Sequence, residues 1–285
     1  MKKTLFFCLI LATLTACEKP LEVAGDNGNV ILDFTASAKD ATRATVSIGN
    51  YFSKLNVQIF DSDGDKVFDK VKTQTRDDEG FGHLSVTLNQ GRYTIVAVGH
   101  SSIKSATIKS ADMVQFTASD GEKLTDTFCS CRQIEVGEEQ DYHILTLNRA
   151  TAMIQFCLTD EHVPDVFDHM VIDYTGGSAN FSPTTFEGTT KSTQSERRNA
   201  DLSGVYQVYT FPYQSETCQL KMTVTAYDAN ENVIRKRVFE DVKVVRNRIT
   251  TYTGPFFEEG DGHFTITDFG FTVNGDWDGE DNYTF

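Results

Sequence analysis

Several residue types that could carry out catalysis or hold a metal occur in this chain, but their spacing fits neither use. Asp61-Ser-Asp-Gly-Asp65 begins like a calcium loop, yet glycine stands fourth instead of sixth and Lys72 occupies the twelfth position, which needs glutamate. No two histidines show metal-binding spacing, and Gly176-Gly-Ser-Ala-Asn180 lacks the Gly-x-Ser-x-Gly pattern of a nucleophile elbow. We therefore expect a hairpin turn at residues 61–65, no metal, no cofactor and no catalytic residue.

Four cysteines in the body of the chain raise the question of disulfides. Cys129 and Cys131 are two residues apart, so on a strand they share a face and are badly placed to bond each other. The alternation around Cys157 puts it opposite the apolar face, whereas Cys218 has the parity of the inward residues that follow it. Zinc would require further ligands at suitable spacing, and none lie nearby. Buried free thiols are therefore our prediction.

The amino terminus indicates chemistry of another kind. Lys2 and Lys3 precede an uncharged apolar run that ends in Leu14-Thr15-Ala16-Cys17. The run is about ten residues long, whereas a membrane-spanning helix needs about 20, and the pattern is typical of a secretory signal. Its last four residues resemble the bacterial lipobox, in which a peptidase cuts before a lipid-bearing cysteine. We predict that residues 1–16 are removed and that Cys17 is lipidated; the alternative is an ordinary signal with Cys17 a plain thiol.

The composition favours a soluble surface and strands. The net charge of −15 becomes more negative once Lys2 and Lys3 leave with the signal, which argues against nucleic acid as a partner because its phosphates reward clustered Lys and Arg. Short runs rich in Val, Ile, Thr, Phe and Tyr alternate with turn residues, and helical periodicity is nearly absent. This pattern predicts an all-β fold class with a β-sandwich in each half.

The predicted organisation is a signal (1–16), a lipid-linked tether (17–28), an N-terminal sandwich (29–148) and a C-terminal sandwich with an acidic tail (149–285). Residues 175–204, rich in Gly, Ser, Thr and Asn, are interpreted as a long exposed loop. The tail from Asn274 is either a donor strand or a free end. Predicted strands include Asn29–Phe34, Leu55–Phe60, Lys66–Val71, Leu84–Leu88, Tyr93–Val98, Ala150–Leu158, Met170–Tyr174, Val205–Phe211, Leu220–Tyr227, Val233–Phe239, Thr250–Thr253 and Phe264–Val273.

An ordered series of segments resembles one family, the FimB-like minor subunits that anchor type V fimbriae of gut and oral anaerobes. The series runs through nearly the whole mature chain, and no single segment in it is diagnostic. Its segments are 55–64, 78–82, Leu88-Asn-Gln-Gly-Arg-Tyr-Thr-Ile-Val-Ala-Val-Gly-His-Ser101, 125–128, Leu147-Asn-Arg-Ala-Thr-Ala-Met-Ile-Gln-Phe156, Asp173-Tyr-Thr-Gly-Gly-Ser178 and Asn247-Arg-Ile-Thr-Thr-Tyr-Thr-Gly-Pro-Phe-Phe257.

The resemblance implies two transthyretin-like sandwiches, lipid anchorage to the outer membrane through Cys17, and a fimbrial subunit as the partner. It also implies assembly by strand exchange, in which a neighbour's strand completes an open sheet through main-chain hydrogen bonds. Such a fibre base needs no cofactor and no catalytic residue, so the predicted function is that of a non-enzymatic fimbrial anchor or accessory subunit in cell adhesion.

Two alternative functions follow from other features of the sequence. Related polymerising fimbrillins lose their first strand to an Arg-specific protease, and Thr42-Arg43-Ala44 lies where such a cut would fall. Cleavage between Arg43 and Ala44 would also release Cys17 and its lipid, so an anchor should stay uncut there. The other alternative is a surface lipoprotein that binds glycans; the one tryptophan, Trp277, lies in the tail, although tyrosines could take its place.

Overall fold

The computed structural model describes residues 28–37, 47–117, 123–258 and 277–284. Within them the chain is built of strands, with one short 3-10 helix, so the predicted all-β fold class is confirmed. The helix is Ile48–Asn50, and the strands are β1 (Val30–Ala36), β2 (Lys54–Phe60), β3 (Lys72–Thr75), β4 (His83–Val86), β5 (Gly91–His100), β6 (Thr107–Ser110), β7 (Met113–Gln115), β8 (Phe128–Val136), β9 (Asp141–Arg149), β10 (Ala152–Leu158), β11 (Phe167–Thr175), β12 (Asn180–Phe181), β13 (Gln194–Asn199), β14 (Val205–Thr210), β15 (Thr217–Asp228), β16 (Val233–Val245), β17 (Ile249–Gly254) and β18 (Glu280–Thr284).

The first half forms a seven-stranded sheet in the order β3-β2-β5-β8-β9-β1-β4. Its two arms meet at β8 and β9, where only Phe128 with Arg149 and Cys129 with Asn148 are paired. Alternate apolar residues of both arms point into one shared core, because successive side chains of a strand face opposite sides. The arms therefore pack on each other as the two layers of a sandwich.

The second half is made of two four-stranded sheets, ordered β14-β10-β17-β18 and β13-β11-β15-β16. A second core lies between them and draws on strands of both sheets. At its centre the ring of Phe156 contacts those of Phe239 and Tyr252, with centroids 5.0 and 5.8 Å apart. Such aromatic clusters bury large apolar areas and add about 0.5–1.5 kcal/mol per ring pair.

A third core joins the two halves. It combines strands β5, β6 and β7 of the first half with Phe181 and Phe211 of the second, whose rings stack 4.4 Å apart. A three-stranded sheet in the order β12-β7-β6 also crosses from one half to the other. Because this core covers the outer face of β2, the polar Asn56 and Gln58 are fully buried.

Two sequence-based expectations about local structure are wrong. Residues 66–71 were expected to return from the 61–65 turn as a strand, but only Lys66 pairs, in an isolated bridge to Phe60, and the returning strand β3 begins at Lys72. The stretch 175–204 is not one exposed loop: it contains β12 and β13, and Phe181 is fully buried. Because the segment is mostly polar, its sequence does not indicate that Phe181 packs in the third core.

Other expectations about the chain's organisation are not addressed by the described residues. Phe264–Val273, interpreted as a strand, lies outside them, as does most of the signal and tether. The division into sandwiches at 148 and 149 stays a prediction.

The turn at residues 61–65 does form: the Asp61 amide donates to the Asp65 carbonyl at 2.9 Å, and the Asp61 side chain accepts from the amides of Asp63 and Asp65.

Candidate strand-exchange site

The residues singled out for lipidation and proteolysis, Cys17, Arg43 and Ala44, lie outside the described residues. The strand between them, β1, is described, and so is the carboxy-terminal strand β18. These two strands come from the ends of the chain and are the elements that a strand-exchange mechanism would use. Their geometry is therefore the first test of such a site.

β1 lies between two partner strands. Its residues pair in parallel with Asp141–Leu147 of β9 on one side, and Val30–Asp33 pairs antiparallel with β4 on the other. Val30 and Leu32 are fully buried and Phe34 is 5 % exposed. Burial of three such side chains contributes about 5–9 kcal/mol, which is comparable to the whole stability of a typical domain, about 5–15 kcal/mol. β1 is thus an integral strand of its sheet.

The start of β1 is held by a side-chain clamp on the backbone of Leu88. The Asn29 amide nitrogen donates to the Leu88 carbonyl at 2.7 Å, and the Leu88 amide donates to the Asn29 side-chain oxygen at 2.8 Å. One residue earlier, Gly28 donates its amide to the Ser85 hydroxyl at 3.1 Å and accepts from Gln140 at 3.1 Å. The chain is therefore fixed at the point where it leaves the tether.

A second set of contacts holds the middle of β1 to both neighbours. Asp33 Oδ1 lies 2.7 Å from His83 Nδ1 on β4, and the Tyr142 hydroxyl on β9 donates to the other carboxylate oxygen. Burial raises the pKa of Asp33, but the hydrogen bonds from Tyr142 and His83 and the charge of His83 outweigh it, so the pKa lies below its ordinary value. Asp33 is thus held ionised, and it links three strands.

β18 is held quite differently, as the outermost strand of its sheet. Its five residues pair in parallel with Ile249–Thr253 of β17 and are all half-buried or exposed. Tyr283 stacks on Tyr252 with ring centroids 4.8 Å apart, and an Arg248 nitrogen lies 2.9 Å from the Asp281 carboxylate. Among the described strands β18 thus pairs with β17 alone, whereas β1 lies between two partner strands.

Trp277 fastens the tail just before β18. It is 6 % exposed and packs with Met153 and Ile249. The Arg149 guanidinium lies over its ring, 3.9 Å from the centroid, an arrangement that contributes about 0.5–2 kcal/mol. Trp277 therefore anchors the tail and offers no exposed ring for a glycan, which leaves tyrosines as the aromatic residues that could take that part.

Arg149 is the junction residue of the molecule. Its guanidinium forms a bidentate pair with Asp126 at 2.8 Å for each of two nitrogens, and a third nitrogen donates to the Asn247 side chain at 3.1 Å. It also lies over the ring of Phe128, 4.6 Å from the centroid. One buried side chain thus touches the first half, the second half and, through Trp277, the tail.

The cysteine prediction agrees with the structure in part: the thiols are free, but only one of the four is fully buried. The four cysteines beyond the tether are free thiols, with Cys129 fully buried in the third core and Cys131, Cys157 and Cys218 half-buried. Burial raises the pKa of each thiol, most strongly that of Cys129, so these thiols stay protonated at neutral pH. Within the described ranges, no cluster of His, Cys, Asp and Glu is arranged to hold a metal ion, and no helix could cross a membrane.

Comparison with known proteins decides the family. The family model for the fimbrillin-A associated anchor proteins Mfa1 and Mfa2 matches residues 16–283 of this chain. The chain belongs to this anchor family. The resemblance to fimbrial anchor subunits inferred from the sequence is therefore confirmed. Membership in the anchor family supports a fimbrial accessory role at the cell surface and association with fimbrial subunits, and the family is non-enzymatic in kind.

Several solved structures are similar to this chain at low identity. They include a candidate adhesin from Bacteroides ovatus (15 % identity, 73 % of this chain and 75 % of that chain, TM-score 0.47). The fimbrial anchor protein Mfa2 from Porphyromonas gingivalis matches at 16 % identity over 73 % of this chain and 80 % of its own, with a TM-score of 0.41. A fimbrial assembly protein from Parabacteroides distasonis matches at 11 %, over 79 % and 89 %, with a TM-score of 0.41. No curated protein matches.

Sequence reasoning missed several residues that shape this site. Asn29 precedes the apolar alternation of β1 and Asp33 lies within it, at positions where a polar residue usually faces water. Their roles depend on distant partners: Leu88 for Asn29, and His83 and Tyr142 for Asp33. Arg149 was noted as a boundary residue alone. Its position between two predicted strands, next to the predicted junction, could have marked Arg149 as buried. A buried arginine in turn requires a carboxylate partner.

Proposed function

We propose that this chain is a lipid-anchored outer-membrane subunit at the base of a fimbria, joined to a fimbrial subunit by strand exchange. The observation that carries the proposal is the contrast between the two terminal strands of an anchor-family chain. β1 is enclosed between β9 and β4, whereas β17 is the partner that β18 has among the described strands. The enclosed strand suits a permanent link to the tether and Cys17, and the edge strand suits an exchange.

The burial of β1 supports an uncut chain. Cleavage after Arg43 would separate β1 from the remainder, and release of the strand would uncover the core around Leu32 and leave two unpaired sheet edges. Unpaired edges promote association with further strands, which suits a polymerising subunit and not a base. In an anchor, β1 stays covalently continuous with the body, and the lipid on Cys17 stays with it.

The experiment that tests anchorage is mass spectrometry of the protein taken from intact outer membranes. We expect an amino-terminal peptide that begins at an acylated Cys17 and a chain that is continuous through Arg43. A mature amino terminus at Ala44 would overturn the anchor function and favour a polymerising fimbrillin. Replacement of Cys17 by serine provides the control, because it should release the protein from the membrane without changing the fold.

The experiment that tests strand exchange locks β18 in place. Thr251 and Asn282 are register partners across β17 and β18, so the double variant Thr251→Cys/Asn282→Cys can close a disulfide between the two strands. We expect the oxidised variant to lose the ladder of fimbrial subunits that co-purifies with the intact protein, and the reduced form of the same variant to keep it. Full recovery of the ladder with β18 locked would refute exchange at this edge.

A further inference from the structure

A groove of about 650 Å3 lies where the two halves of the molecule meet. The first half contributes Tyr51, Ser101 and Asp126, and the second half contributes the end of β13, the loop that follows it and the outer strand β14. Ligand pockets commonly measure about 300–1,000 Å3 and are frequent between domains. The groove therefore has the size and the position of a binding site.

Hydrogen bonds hold the polar groups of this groove in place before any ligand arrives. The Gln207 side chain donates to Gln155 at 2.7 Å and accepts from the Tyr209 hydroxyl at 3.3 Å. The Tyr206 hydroxyl accepts from the Asp201 amide at 3.1 Å, which fixes the loop against β14. Pre-ordered side chains lower the entropic cost of binding, so this wall is suited to recognise a ligand by hydrogen bonds.

The charges along the groove are already compensated. Asp126 is paired with the buried Arg149, and Arg198, the single cation among the described lining residues, lies 3.3 Å from the Glu196 carboxylate. Asp201 adds a negative charge, and its carboxylate accepts from the Ser203 amide at 2.7 Å. The described lining thus has no unengaged cation and a slight negative excess, which repels phosphates and carboxylates, so we expect a ligand without negative charge.

The remaining lining is that of a surface for hydroxyl-rich molecules. Asn199 and Ser203 are exposed, and Gln207, Tyr51 and Tyr209 are half-buried, so both amide and hydroxyl groups and aromatic rings border the space. Amide and hydroxyl side chains donate and accept hydrogen bonds, and tyrosine combines an apolar ring with a polar tip. A sugar ring has the matching chemistry, with hydroxyls at its rim and C–H groups on its faces.

We propose that this groove binds an uncharged oligosaccharide, so that the fimbrial anchor also carries a glycan-binding site at the junction of its two halves. The site uses neither Trp277 nor any metal. Binding forms no covalent bond and needs no fimbrial subunit. Glycan binding and the anchor function can therefore be tested in separate experiments, and a failure of one can be distinguished from a failure of the other.

The test is a glycan array probed with the full mature chain in detergent. The array carries neutral oligosaccharides of animal and of plant type, each beside a matched member that bears a sialic or uronic acid. We expect retention of one set of neutral members and at least tenfold weaker retention of their acidic counterparts. Retention of the animal or of the plant oligosaccharides identifies the source of the ligand. Absence of any neutral ligand, or equal binding of the acidic members, would overturn the proposal.

Variants then connect binding to the groove. Ser203→Trp places an indole in the space from an exposed position and should abolish retention, whereas Asn199→Ala removes one hydrogen-bonding group and should raise the Kd about fivefold. Asn89→Ala is the matched control, because Asn89 is exposed and distant in sequence from the groove residues on β13 and β14. It should leave the Kd unchanged. Unchanged binding by either groove variant, with thermal unfolding like that of the native chain, would place the ligand elsewhere.

Discussion

Replacement of Trp277 by alanine should detach the carboxy-terminal tail while the rest of the molecule stays folded. Truncation of a buried tryptophan costs about 3–5 kcal/mol, and loss of the Arg149 contact adds about 0.5–2 kcal/mol. The other tail contacts are smaller: the Tyr283–Tyr252 stack contributes about 0.5–1.5 kcal/mol, and the half-exposed Arg248–Asp281 pair contributes at most about 1 kcal/mol. Trp277 is therefore the largest single contribution to docking.

Hydrogen exchange followed by mass spectrometry measures this effect directly. Since each 1.4 kcal/mol is a factor of ten, a loss of 3–5 kcal/mol should reduce the protection of the β18 amides about a hundred- to several-thousand-fold. Protection in β15 should change less, because β15 belongs to the opposite sheet and does not contribute to the cluster of Trp277, Met153 and Ile249. Trp277→Phe is the matched control and should retain most of the protection. Full β18 protection in Trp277→Ala would refute the docking mechanism described above.

Three further predictions concern β1 and the junction. Asn29→Ala removes both clamp bonds to Leu88 and should lower the free energy of unfolding by about 1–3 kcal/mol in urea, whereas Asn89→Ala should change it by less than about 0.5 kcal/mol; equal values would mean that the clamp contributes nothing. Because the Asp33 pKa is lowered in the folded state, its contribution is complete above the unfolded pKa of about 3.9 and is lost as the pH falls through the lower folded value; Asp33→Asn should flatten this acid limb in denaturation curves, and an unchanged limb would contradict the assignment. Phe181→Ala should cost about 3–5 kcal/mol in calorimetry, and a cost below about 1 kcal/mol would show that the third core is not what joins the halves.

Strand alternation was a reliable guide wherever the two faces of a strand have different surroundings. β1 and β4 each bury one face only, and the strands predicted there are present. β2 looked equally simple, but Asn56 and Gln58 on its outer face are buried beneath the third core. That core is assembled from residues more than 100 positions apart, so no local pattern could reveal it.

Polar stretches were the weakest part of the sequence interpretation. In residues 175–204 Phe181 and Ala179 are buried in the third core and Phe186 packs against it, although Gly, Ser and Thr dominate the segment. The candidate site was predictable only in part for the same reason. The predicted lipidation of Cys17 depends on four adjacent residues, whereas the Asn29 clamp and the Arg149 junction depend on partners in other segments of the chain.

The enclosure of β1 has a mechanical consequence. Gly28 is the point where the chain passes from the tether into the sheet, and β1 continues from it between β9 and β4. A pull on the tether that acts along β1 loads the ladders on both sides in shear, so that their hydrogen bonds must fail together and not one after another. The same pull on β18 would load one ladder among the described strands, that with β17. Under the proposed lipid anchorage, the strand that follows the tether is thus the one best built to bear tension.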